Sequence, residues 1–99
     1  MLLRERETPE GLLVSVCDEA CLGETYANGD ITLEVEAEFY GGNEAVDAGP
    51  DAVVDALQRA SVANIVGAES VAVAVDAGLV DEETVLDVET TKHAQLMWL

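Results

Sequence analysis

The amino-acid sequence predicts an α+β domain over residues 1–99: a small, mainly antiparallel sheet with two helices packed on one face. Three observations predict it. Two apolar runs near the start are joined by a tight turn. A longer run, Ile31 to Tyr40, alternates apolar and polar residues with period two. Helix-forming patterns after Pro50 and up to Ala77 then separate these strands from two later ones.

Residues 2–6 read as a short strand, and Thr8-Pro9-Glu10-Gly11 as a β-turn. Leu12 to Asp18 is the second strand of the hairpin. Leu12, Val14 and Val16 share one of its faces, and Leu13, Ser15 and Cys17 the other. Asp18 to Gly23 forms a polar corner with about one helical turn, and Asn28-Gly29-Asp30 a further turn. In the next run Ile31, Leu33, Val35, Ala37 and Phe39 alternate with Thr32, Glu34, Glu36, Glu38 and Tyr40, which predicts a half-buried antiparallel strand. On that reading Phe39 is core. Tyr40 shares the solvent face with three glutamates, and Gly41 and Gly42 end the strand.

Residues 43–49 are a loop. Pro50 suits the first helical position, and Asp51 sits favourably in the first turn of the helix dipole. Val53, Val54, Leu57 and Ala60 mark one face of about three turns, with Asp55 and Arg59 spaced to pair. Asn64 is a helix-capping type, and Gly67 either breaks the first helix or opens the second. A helix from 65 or 68 to 77 follows, buried on most sides, with Gly78-Leu79 as its end. Val85–Val88 and Ala94–Leu99 read as strands joined through Glu89-Thr90-Thr91-Lys92.

The charge narrows the setting. Of 99 residues 21 are acidic and 4 basic, a net −17, yet 49% are apolar, which fits a folded domain rather than a disordered chain. An acidic tail does not fit, because the acids run from Glu5 to Glu89 without a long block. Mimicry of nucleic acid is a second reading. Adaptation to a salt-rich cytosol is the favoured one: Lys92 is the only lysine, Ala and Val are plentiful, and large aromatics are few. In such salt the Debye length shrinks to about 3 Å, so an RNA partner remains compatible with the acidity. No stretch reaches the roughly 18 apolar residues of a membrane helix, and Met-Leu-Leu-Arg-Glu-Arg-Glu is not a signal peptide. The expectation is a soluble cytoplasmic protein without a membrane partner, with Cys17 and Cys21 as thiols.

Motifs for chemistry are sparse. Cys17-x3-Cys21 with His93 falls short of the four ligands of a structural zinc site, so neither metal nor cofactor is expected. Cys17 and His93 are candidates for thiol catalysis, but neighbouring acids would raise the thiol pKa. No phosphate-binding glycine loop is present, and the helix-hairpin-helix look of the stretch after Asn64 lacks a second glycine. His93 and Gln95 share a strand face by parity, and both carry hydrogen-bond donors.

Four motifs occur in order: CDEACLGET at 17–25, EFYGG at 38–42, ANIVGAESVAVAVDAGLV at 63–80 and HAQ at 93–95. Together they resemble the archaeal domain of unknown function 424 family along essentially the whole chain, and the acidity resembles a haloarchaeal member. The resemblance implies an archaeal cytoplasmic protein associated with RNA or translation. It carries the family's corner onto Cys17, Asp18 and Glu19, with Leu22 and Gly23 after it. Its aromatic-glycine turn falls on Phe39, Tyr40, Gly41 and Gly42, its asparagine-to-glycine turn on Asn64 and Gly67, and its last motif on His93, Ala94 and Gln95. Two departures are visible: threonines and Lys92 precede His93 where the family resembles Gly-Val-Pro, and Cys21 is particular to this chain.

The leading expectation is a non-enzymatic binding module acting with RNA or ribosome-associated proteins through Tyr40, Gly41, Gly42, Asn64, His93 and Gln95. Tyr40 would stack or pack, the glycines admit a close backbone approach, and the other three hydrogen-bond. The alternative is a protein–protein adaptor or homodimer using an apolar patch on the last strand at Met97 and Trp98. A small enzyme built on Cys17 and His93 stands third.

Overall fold

A computed structural model describes residues 1–97. Its eight strands are β1 (Leu2–Thr8), β2 (Gly11–Cys17), β3 (Thr25–Asn28), β4 (Ile31–Glu34), β5 (Val46–Asp47), β6 (Val62–Val66), β7 (Leu86–Val88) and β8 (Thr91–Met97). The helices are α1 (Ala37–Tyr40), α2 (Pro50–Arg59) and α3 (Ala68–Asp76). The fold is α+β. Six strands form one sheet in the order β5-β1-β2-β6-β8-β7, and β3 and β4 form a separate hairpin. The large sheet is mixed rather than simply antiparallel, because β2 and β6 run parallel at its centre. None of the described helices is long and apolar enough to cross a membrane.

The first hairpin follows its turn chemistry. The Thr8 hydroxyl donates to the Gly11 carbonyl (2.7 Å) and accepts from the Glu10 amide (3.2 Å), which pins β1 to β2 across Pro9-Glu10. The parity predicted for β2 then sorts the whole sheet. Leu3, Val14, Val16, Ala63, Ile65, Ala94 and Leu96 face α2 and α3, and pack with Val53, Ala56, Leu57, Val71 and Ala74 in the main core. α2 begins at Pro50 as its sequence predicts, with Asp51 in its first turn and Arg59 in its last.

Residues 62–66 correct the sequence reading. They are the central strand β6 and not a helix start, and Asn64 caps nothing: it pairs with Ser15 on one side and Gln95 on the other. The run Val-Ala-Asn-Ile-Val is short and apolar, and such runs are ambiguous by periodicity alone. Burial between two strands decides it. β8 also begins earlier than expected, at Thr91, leaving Glu89-Thr90 as a tight turn with Glu89 at φ 53.

α3 is opened from a distance. Asp18 Oδ1 accepts from the Ser70 amide (2.8 Å) and hydroxyl (2.7 Å), and Oδ2 from the Glu69 amide (3.1 Å). These bonds serve donors that a helix start leaves unpaired. Gly67 makes room: its φ is 111, and a Cβ there would lie 2.2 Å from the Asp18 carboxyl carbon. The resemblance to family motifs at Asp18 and at Asn64–Gly67 thus falls on two segments that meet at this cap.

Candidate functional site

The sheet face opposite α2 and α3 carries three register rows. Leu2, Cys17, Val66, His93 and Leu86 form the first. Arg4, Ser15, Asn64 and Gln95 form the second, and Arg6, Leu13, Val62 and Met97 the third. The chain between β2 and β5 folds over part of this face. Cys21, Val35 and Tyr40 bury themselves against Cys17 and Val66, flanked by Leu2, Leu22, Tyr26, Leu33 and Phe39.

This cover overturns the single strand predicted for Ile31–Tyr40. β4 stops at Glu34. Val35 then turns back, donating to the Glu24 carbonyl (2.9 Å) and accepting from the Gly23 amide (2.8 Å), and Ala37–Tyr40 coil into one helical turn. Helical rotation exchanges the two rings. Tyr40, expected in solvent, is 5% exposed, while Phe39, expected in the core, is half-buried. The cause is tertiary. Arg4 donates to the carbonyls of Glu38 and Gly41, and Arg6 to those of Glu38 and Phe39, satisfying the open end of the turn. Arg6 also lies 5.0 Å from the centre of the Phe39 ring, and the two rings meet edge to face at 4.9 Å. Two-residue alternation contains no trace of a partner thirty residues upstream.

Between this cover and the sheet lies a cleft of about 310 Å³ lined by Leu33, Glu34, Glu36, Phe39, Tyr40, Asn64 and His93. Three of the predicted site residues, Tyr40, Asn64 and His93, therefore meet. Gln95 stands beside them and donates through Nε2 to Asn64 Oδ1 (3.1 Å), which leaves the Asn64 NH2 as a donor at the cleft floor. Gly41 and Gly42 lie outside the lining. Gly41 is buried against Leu22 and Gly42 takes φ 89 close to Arg4, so both shape the end of α1. Sequence reasoning missed Leu33, Glu34, Glu36 and Phe39 as cleft residues. It also missed Arg4 and Arg6 as their support, although two of only four cations sharing one strand face was a readable signal.

Burial lowers the pKa of His93, favouring neutral imidazole. Cys17 is fully buried, and burial, with Cys21 and Asp18 adding to it, pushes its thiol up to about 11. Val66 stands in register between Cys17 and His93, so a strand separates the proposed catalytic pair. Among the described residues, no group of three or more His, Cys, Asp or Glu is placed to hold a metal ion. All four cations are engaged within the chain: Arg4 and Arg6 as above, Arg59 with Glu5 (2.6 Å) and Asp55 (3.1 Å), and Lys92 with Asp87 (2.6 Å).

Comparison with known proteins agrees with the fold. The family model described as "Protein of unknown function (DUF424)" matches residues 5–99. The crystal structure of an uncharacterized conserved protein from Methanopyrus kandleri is similar at a TM-score of 0.73 and 26% identity. The similarity covers 99% of this chain and 93% of that one. No curated protein matches.

Proposed function

The chain belongs to the DUF424 family of proteins of unknown function, and on that premise we propose that it is a non-enzymatic binding module of the archaeal cytoplasm, associated with RNA or the translation machinery. Its direct contact in this reading is a basic protein segment of that machinery. The supporting observation is the cleft: a hydrogen-bonding floor of Asn64 and His93 beneath the carboxylates of Glu34 and Glu36, in a chain whose cations are all engaged internally. At direct contact, within the roughly 3 Å left by screening, such a surface suits lysine or arginine side chains better than phosphate oxygens.

A crosslinked pull-down in multi-molar KCl tests this, comparing wild type with an Asn64→Ala/His93→Ala variant. Basic translation proteins should be enriched by wild type, lost with the variant, and retained after ribonuclease treatment. Recovery of nothing above background removes the reading, and RNA that stays bound after the captured proteins are digested replaces it with direct RNA contact. The acidic surface is read as haloarchaeal adaptation, so the melting temperature should fall as KCl is lowered from about 3 M to about 0.1 M, where screening weakens. A level melting temperature would remove that part alone.

A further inference from the structure

We propose that the outer edge of β8 docks a second copy of this chain, the two β8 strands pairing antiparallel so that the sheet continues across the seam. β6 pairs with β8 from His93 to Met97, but β7 pairs with it only from Thr91 to His93. From Ala94 to Met97, β8 therefore has a strand on one side only among the described residues. An edge of this kind presents a row of unpaired N–H and C=O groups that templates another strand.

The opposite edge of the sheet is short of a partner in the same way, since β5 pairs with β1 only at Leu2 and Leu3. That edge is guarded. From Arg4 onward it reads Arg-Glu-Arg-Glu-Thr, with Arg59 bound to Glu5 across it. Charged residues are a common way to blunt a sheet edge. The free stretch of β8 reads Ala-Gln-Leu-Met and carries no charge, in a chain where 25% of residues are charged. Met97 is 60% exposed and continues a register row with Val62 and Leu13, so the unguarded edge borders an apolar strip on the uncovered part of the face.

Two arguments make the occupant a second copy. Antiparallel pairing of a strand with its own copy is self-complementary about a two-fold axis, each offering the groups the other lacks. Two molecules of net −17 also meet with less repulsion along a stretch, Ala94 to Met97, that carries no carboxylate of its own. A basic segment would gain nothing from an uncharged edge, which separates this surface from the cleft. The two-fold stands perpendicular to the sheet and leaves both open faces on the same side, with a cleft flanking the seam in each copy.

Sedimentation equilibrium of the full chain in multi-molar KCl is the test, with Met97→Glu and Met97→Lys alongside. Wild type should have twice the monomer mass. Both variants should raise the dissociation constant by about tenfold or more, although the lysine reduces the net charge. Amide exchange at Ala94–Leu96 should be slower in concentrated than in dilute wild-type protein, a readout that stands even where a variant misfolds. A monomer at about millimolar concentration, a Met97→Lys dimer as tight as wild type, or amide exchange indifferent to concentration would each overturn the proposal. Neither readout depends on Asn64 or His93, so the pull-down and this assay fail separately.

Discussion

The two faces of the sheet are built on different principles. Beneath α2 and α3, seven inward side chains from four strands are apolar, and the helices add five more. On the other face the central row is Arg4, Ser15, Asn64 and Gln95, and the cover is a hairpin with one helical turn held down by two guanidinium groups. The first face carries a packed core, whose energy comes from excluded water and dispersion. The second face spends apolar area on a smaller cluster and leaves a polar floor within reach of a ligand. On the function proposed above, stability and recognition are divided between the faces, and substitutions should separate them.

The largest effect is expected on the helix side. Leu57→Ala empties a fully buried site in α2 and should cost about 2–5 kcal/mol, read from chemical unfolding, with capture of partners by the folded fraction unchanged. A loss under about 1 kcal/mol would mean that the core re-closes readily. Asp18→Ala comes next. It strips three bonds from the start of α3 and should cost about 2 kcal/mol, with Asp18→Asn costing less.

Alkaline pH probes the other side. The Cys17 thiol rises from its ordinary 9.0 to about 11 and the Tyr40 phenol from 10.0 to about 12, both chiefly through burial. The folded protein keeps protons that the unfolded chain gives up. This contribution is therefore complete below pH 9.0 and is lost as pH climbs through about 11 for Cys17 and about 12 for Tyr40. The total is on the order of 2 kcal/mol per group. Unfolding curves taken across this range should show Cys17→Ala lacking the first part of the decline. The smallest stability effect belongs to Asn64→Ala and Gln95→Ala, within about 0.5–1 kcal/mol each. Unchanged partner capture by these variants would erase the division drawn between the faces.

The sequence exposed what depends on neighbours along the chain. Pro50 and Asp51 announced α2 from its own first turn. Thr8-Pro9-Glu10-Gly11 announced the hairpin, and the parity of Leu12 to Cys17 assigned each β2 side chain to its observed face. It concealed what depends on partners far away. β6 is a strand because β2 and β8 flank it, and α1 coils because Arg4 and Arg6 accept the task of closing it. Of the predicted site, the joining of Asn64, His93 and Gln95 follows from strand parity and register, so it was readable in part. The inward turn of Tyr40 was not, since the alternation from Ile31 to Tyr40 points the ring the other way. Trp98, paired in expectation with Met97, lies outside the described residues.

The parallel union of β2 and β6 has a kinetic consequence. It sets Val14 beside Ala63, forty-nine positions further along, in the middle of the sheet. Bringing such remote stretches together costs chain entropy before any contact rewards it, and topologies of this kind fold slowly for their size. The centre of the molecule should then be the last part to assemble. Trimming the exposed turns of the intervening excursion should quicken folding while leaving the rate of unfolding nearly unaltered.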